Sequence, residues 1–512
     1  LQLKGGNVRL KNIFLPIVLM MTHTLVDAAG FTAMAKTNVN GDPKIDSYLV
    51  KTLNKSGQAN ILVYLKSETQ LQAATQISDR TKRIRYVYDR LRLDAKEKQK
   101  RVIAELKRRK LHHRSFYIEN AIAVDGASKD LAQTLSAFPE VASVQLNAQA
   151  ALRLPTVKSY PNQDSVTDIP SHLRLVGVDR VWNELGVKGS GIVVAGQDSG
   201  FYWEHNSIKK QYRGYNDGNI SHNYNWHDAI HRSTVTEKNN TSCGYDSTAP
   251  CDDSGHGTHT MGTMVGADGG KNNIGVAPEA KWMGCRNMNK GVGTVSTYLE
   301  CFEFFLAPYP QGGDPQKDGR PDLAPHVINN SWGCPESEGC KGPEFLQAVR
   351  AMHAAGIMVI AAAGNDGSGC SSVVDPPGNY SGELISVGAY NRYTSDIAFY
   401  SSRGPSNWNG GLAPVLVAPG TLIRSAINEG PNSYDEKAGT SMASPHVAGI
   451  VALLWSARPE LIGQIQKTAE ILTTTAKPMQ SSQSCGSFPG HQIPNAVFGY
   501  GMVDAYKAIT SQ

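Results

Sequence analysis

No cysteine stands before residue 243 of this 512-residue chain, although eight follow. None of the eight forms a C-x-x-C pair with histidine partners, which argues against a structural zinc site of ordinary spacing. The 26 prolines are scattered and build no proline-rich tract. After residue 21 no apolar run is long enough to cross a bilayer, so no stable membrane anchor is expected.

What is present fits a globular chain with many turns: 40% hydrophobic residues and 50 glycines. The net charge of +5 conceals an asymmetry. Residues 1–150 carry 24 Lys and Arg against 13 Asp and Glu, leaving 26 against 32 for the rest. A basic front therefore precedes an acidic body. The chain opens like an export leader: Lys4, Arg9 and Lys11, then the apolar Asn12–Met21, then small residues at Ala28–Ala29 and Ala33–Ala35. We expect a signal peptide over 1–35 and a secreted protein, extracellular or periplasmic. A membrane anchor is the rival reading, for which the apolar run is short. An even number of cysteines in an exported chain favours disulfides. Cys243/Cys251 and Cys334/Cys340 are close pairs; Cys285, Cys301, Cys370 and Cys485 leave two bridges of open connectivity.

Residues 36–150 read as β-α-β-β-α-β, a small α+β, ferredoxin-like domain. "ANILVYLK" (59–66) is a strand, and a basic amphipathic helix spans roughly 79–110. "SFYIENAIAVDG" (115–126) gives two strands, "SKDLAQTLSAF" (128–138) a helix capped by Ser128, and "VASVQLN" a closing strand. A polar, proline-containing linker is expected over 151–175. From 176 to 512 strands and helices alternate, which predicts an α/β body with a mainly parallel sheet and helices on both faces. Several of its strands end on polar residues next to glycine, at the edge where such sheets bind ligands.

Three segments carry chemistry. "VVAGQDSG" ends an apolar strand in Asp198; "SGHGTHTMGTMVG" puts His256 in a glycine-flanked turn entering a helix; "AGTSMASPHVAGIVALL" puts Ser441 at the mouth of an apolar helix, after Gly439 and before Pro445 in the expected first turn. A serine nucleophile needs a base and a carboxylate that orients the base. A helix N-terminus favours a developing anion, and Asn365 in "AAAGNDG" offers a second oxyanion donor. Singly, each residue reads as readily as a cap or a turn. Together, in the order Asp, His, Ser, they point to covalent acyl transfer. Zinc held by His256 and His259 is the rival, and no third ligand accompanies the pair. A hydrolase of another fold would normally carry G-x-S-x-G ahead of its acid and histidine, and here Ser441 comes last.

From about Val176 onward the chain resembles the subtilisin-like serine peptidases (subtilases), most closely the bacillopeptidase-F-like bacterial branch. The resemblance rests on those three segments, on "AAAGNDG", and on "SSRGP" (401–405), "APG" (418–420) and "GYGMVDAYKA" (499–508). It implies a serine endopeptidase acting through an acyl-enzyme. Ser441 would be the nucleophile, His256 the base, Asp198 its orienter and Asn365 an oxyanion donor. Gly291, Val292, Gly293 and Ser331, Trp332, Gly333 would be the edges that pair with substrate backbone. The β-α-β-β-α-β segment resembles the inhibitory propeptide of such enzymes. The expected partners are protein or peptide substrates and the chain's own propeptide as intramolecular inhibitor, in a monomer. The basic helix is expected to dock on the acidic body and not to bind nucleic acid. The alternative is a non-enzymatic binding protein on the same scaffold.

Departures from the family pattern are local. Gln197 replaces an apolar residue before Asp198. No cofactor is expected to be required and no metal ligand is assigned. Calcium stays open, because the usual loop is not evident in "GGKNNIGVAP" (269–278) and Ser207 stands where a carboxylate would be expected. Asp375 stands where many relatives have glycine at the floor of the specificity pocket. It is either a receptor for basic side chains or a cap for the turn at Pro376.

Overall fold

A computed structural model describes residues 42–67, 69–157, 169–232 and 242–511. The expected signal peptide and residues 158–168 of the expected linker lie outside these residues.

The N-terminal sheet has the order His113–Phe116, Ala121–Ser128, Gln58–Leu65, Val141–Leu146, with every neighbouring pair antiparallel. That is the split β-α-β arrangement expected for residues 36–150. Ser128 caps its helix, Lys129–Ser136, by accepting from Leu131 N–H at 3.2 Å. The basic stretch starts on Asp79, which accepts from Lys82 N–H at 2.7 Å. It divides at Gln99 into Arg80–Lys98 and Lys100–Arg108. A helix before the first strand, Ser47–Ser56, has no counterpart in the sequence reading. Strand alternation sorts the sheet's two faces: Ile61, Val63 and Leu65 pack within the domain, while Leu62 and Tyr64 join the core of the body.

The body is built on a sheet of order Asp396–Ile397, Ile385–Asn391, Met358–Ala362, Val327–Asn330, Val193–Asp198, Lys281–Arg286, Trp226–Asp228; Leu416–Pro419 also pairs with Ile385–Asn391. Every pairing is parallel except that of Asp396–Ile397. Alternation again assigns the faces. Val194, Val327 and Ile360 pack with the helices His256–Val265 and Thr440–Ala457. Ala195, Ile328 and Val359 pack with Val295–Leu306 and Leu346–Ala354. Helices therefore cover both faces. The chain runs from Val193–Asp198 to strands on one side and then returns to Val327–Asn330 on the other. Such a reversal opens a crevice at the carboxyl ends of the strands, and Asp198 and Ser331 border it.

Four disulfides join Cys243–Cys251, Cys285–Cys301, Cys334–Cys340 and Cys370–Cys485. The two close pairs form as expected, and the pairing left open is thereby given. Among the described residues no helix is long and apolar enough to cross a membrane.

Candidate active site

Asp198 is the last residue of its strand and is buried. Its Oδ1 accepts from His256 Nδ1 at 2.7 Å and from Ser199 N–H at 2.7 Å; Oδ2 accepts from Thr260 at 3.4 Å. His256 begins its helix behind Gly255, whose φ of 74° is left-handed backbone that glycine adopts without strain. At Gly257 a Cβ would lie 2.0 Å from Gly200 O, so only glycine allows the histidine turn to close on the aspartate strand. Asp252, which the sequence reading passed over, organises this turn. Its two oxygens accept from Ser199 Oγ, Ser254 N–H, Gly255 N–H, Thr258 N–H and Thr258 Oγ1.

His259 is not part of the grouping. It is buried and its Nε2 donates to Ile423 O at 2.7 Å; burial pushes its pKa down to about 3, so it stays neutral. Gln197 is a buried tie between strands: Nε2 donates to Asn330 at 2.6 Å, and Oε1 accepts from Asn287 at 3.2 Å.

Ser441 is the second residue of a helix buried from Thr440 to Trp455. Its N–H, like all of the first four in a helix, has no intrahelical acceptor. The hydroxyl donates to Ser331 O at 3.0 Å, and His256 Nε2 is buried without a hydrogen-bond partner. Pro445 corrects an expectation, because it falls in the second turn and not the first. Its missing N–H would have served Ser441 O. Ser331 Oγ serves that oxygen instead, at 2.9 Å.

Asn365 follows the strand Met358–Ala362 and faces the same crevice. Its Oδ1 accepts from Thr440 N–H at 2.9 Å and Thr440 Oγ1 at 3.0 Å. Its Nδ2 donates to the carbonyl of Arg153 at 3.0 Å. That carbonyl belongs to the segment expected to be a plain linker. There, Gln149–Ala151 forms a strand antiparallel to Val292–Thr294, and Leu152 N–H donates to Gly291 O at 2.7 Å. Residues 151–155 then line one cleft with Ser331, Trp332, Gly333, Asn365, Asp375 and Ser441.

The two predicted edges differ in use. Gly291, Val292 and Gly293 carry the pairing with 149–152. On the other side, the Trp332 ring is packed into the body against Tyr298 and Phe345, leaving backbone to form the cleft wall. Asp375 lies against Gly333; its Oδ1 is buried without a partner, and it does not cap the turn at Pro376. Burial, followed by the neighbouring Asp366, pushes its pKa up to about 7.

Ser207, which stands where a calcium carboxylate would be expected, bonds through Oγ to Tyr434 Oη at 2.6 Å. Among the described residues no three His, Cys, Asp or Glu side chains form a metal-holding group.

A buried Asp–His pair, a serine at the start of a core helix and an amide donor, all at the carboxyl edge of a parallel sheet, define the class as a subtilisin-like α/β fold. The family follows: residues 189–501 match the profile described as the Subtilase family, to which this chain belongs. It is similar to Bacillopeptidase F of Bacillus subtilis (strain 168), 33% identical in a match that covers 91% of this chain and 32% of that protein. It is also similar to Serine protease AprX of the same strain, 30% identical over 70% of this chain and 75% of that one. A third relative, Subtilisin DY of Bacillus licheniformis, is 34% identical over 41% of this chain and 66% of its own. The chain thus spans about a third of the length of Bacillopeptidase F.

Proposed function

We propose that this chain is an exported serine endopeptidase, made as a precursor that processes itself and is held inactive by its N-terminal domain. The carrying observation is the hydrogen bond from Asn365 Nδ2 to a main-chain carbonyl, 3.0 Å long, in the cleft that Ser441 lines. A carbonyl held there is placed like that of a substrate about to be attacked.

In this reading Ser441 Oγ turns from Ser331 O to His256 Nε2 and attacks the carbonyl carbon while His256 takes its proton. Asp198 holds the proton of His256 on Nδ1 and so keeps Nε2 free as the accepting atom. The oxyanion is held by Asn365 Nδ2–H and Ser441 N–H. His256 gives its proton to the leaving nitrogen, and water resolves the acyl-enzyme by the same route in reverse. A substrate entering as an added strand on Val292–Thr294 must be extended, which favours unfolded segments and loops.

Support for inhibition comes from how residues 44–157 sit on the body. Residues 149–151 pair with the edge strand Val292–Thr294, and residues 151–155 line the cleft a substrate would use. Glu303 accepts from Tyr117 N–H at 2.5 Å and Ile118 N–H at 3.2 Å; Glu119 accepts from Gln347 and Ala348 N–H at the start of Leu346–Ala354. Arg114 pairs with the buried Glu300 at 2.9 Å. The basic helix docks largely through carbonyls: Arg83 donates to His353, Ala354 and Gly463 oxygens, two of them at a helix C-terminus where a cation is favoured. Four disulfides and the leader-like N-terminus support export.

The test is hydrolysis of a reduced, alkylated protein by the purified chain and its Ser441→Ala and His256→Ala variants. We expect hydrolysis by the parent and a fall of at least about 10³-fold in either variant. Equal activity in all three, or none in the parent, would favour the binding-protein alternative.

A further inference from the structure

Residue 153 is an arginine, and its surroundings are acidic. Arg153 Nη2 lies 2.6 Å from Glu338 Oε1 and 3.3 Å from Ser337 Oγ. The other oxygen of Glu338 accepts from Ala151 N–H at 2.9 Å. One carboxylate therefore holds both the side chain and the backbone of the segment in the cleft. It stands on the short loop closed by Cys334–Cys340, six positions apart, which limits the positions Glu338 can take. Asp375 and Asp366 line the same cleft and add their negative charge to the field at the guanidinium. Among the described residues, no basic side chain besides Arg153 lines it.

Resting on the peptidase reading above, we propose that Glu338 selects arginine on the acyl side of the cut, and that the first bond so selected is Arg153–Leu154 of the chain itself. The register follows from Asn365: the carbonyl it holds is that of Arg153, so Arg153 supplies the acyl group and Leu154 the leaving amine. The Ser441 Oγ–Arg153 C bond forms, the Arg153 C–Leu154 N bond breaks, and the serine proton passes through His256 to Leu154 N. Water then returns a hydrogen to Ser441 and leaves a carboxylate on Arg153. Glu338 is a specificity residue: its carboxylate touches the substrate side chain and takes no part in the bond changes. Asp375, buried deeper, adds charge behind it. This puts the direct contact with a basic side chain on the disulfide loop and not on Asp375, for which the sequence left that role open beside a turn cap.

The test follows the full chain as it is made, by mass spectrometry of its earliest products, and then compares processed enzymes on matched peptides ending in Arg, Leu or Phe. We expect a first cut giving a fragment that ends at Arg153 and a partner that begins at Leu154, absent in Ser441→Ala. Arg153→Glu should slow that cut, and Glu338→Arg in the same chain should restore part of the rate. On peptides, Glu338→Gln should lower kcat/KM for arginine about 10- to 100-fold and leave the leucine peptide within about twofold. A first cut elsewhere, a cut at this bond in Ser441→Ala, or an arginine preference unmoved by Glu338→Gln would each overturn the proposal, while Ser441-dependent hydrolysis of unfolded protein left the peptidase reading standing. Loss of that hydrolysis as well would remove both.

Discussion

Thr440 holds the carboxamide of Asn365 by its oxygen from two sides, with its N–H at 2.9 Å and its hydroxyl at 3.0 Å. The amide cannot flip without breaking both bonds, so Nδ2 is committed to the cleft, where it meets Arg153 O. Asn365→Leu should lower kcat about 10²- to 10³-fold with KM nearly unchanged. Thr440→Val keeps the N–H bond and should cost less, about tenfold in kcat. Steady-state kinetics on one arginine peptide checks both, and a loss confined to KM would contradict the assignment.

Ser331 and Pro445 form a second coupled pair. Ser331 Oγ caps the Ser441 carbonyl that Pro445 leaves without an intrahelical donor. Ser331→Ala should destabilise by about 1–3 kcal/mol, because a buried carbonyl loses its partner. Adding Pro445→Ala restores an N–H four residues on and should recover part of that loss. Chemical denaturation of the two single variants and the double, all on a Ser441→Ala background to prevent self-digestion, measures the coupling.

Acid should unfold the body through its buried histidines. Burial lowers the pKa of His259 and His326 to about 3, and of His353 and His446 to about 4. The unfolded chain binds these protons near pH 6.5. Stability should therefore be complete above that pH and fall as pH drops from about 6.5 toward 3. Melting temperature against pH should show this limb, and His259→Gln, which keeps a donor for Ile423 O, should make it shallower.

The four disulfides should contribute unequally. Cys370–Cys485 spans 115 residues and Cys334–Cys340 spans 6. Loop-closure entropy gives on the order of 5 kcal/mol for the first and 2 kcal/mol for the second. Replacing the long pair by serines should lower the denaturation midpoint more. Replacing the short pair should instead raise KM for arginine peptides, because its loop carries Glu338.

The parts legible in the sequence were those written in contiguous residues. Ser128 announced its helix, and alternating apolar residues announced the strands. The Asp198, His256 and Ser441 segments each declared a strand end or a helix mouth. What escaped depends on residues far apart in the chain. Gln149–Ala151 has no β-branched residue and becomes a strand only because Val292–Thr294 offers an edge. Glu338 gains its meaning from Arg153, 185 residues earlier. Asp252 drew no notice in the sequence, although it accepts five hydrogen bonds around His256. Pro445 marked a helix start, but its placement in the second turn depends on Ser331, which lies on another strand end.

The central claim is that His256, held by Asp198, activates Ser441. Labelling the processed protein with a small fluorophosphonate, followed by peptide mapping, tests it most directly. The account predicts one label per chain, on Ser441, with the rate falling at least about 10³-fold in His256→Ala. Processed protein that takes no label at Ser441, or takes it equally fast without His256, would contradict it.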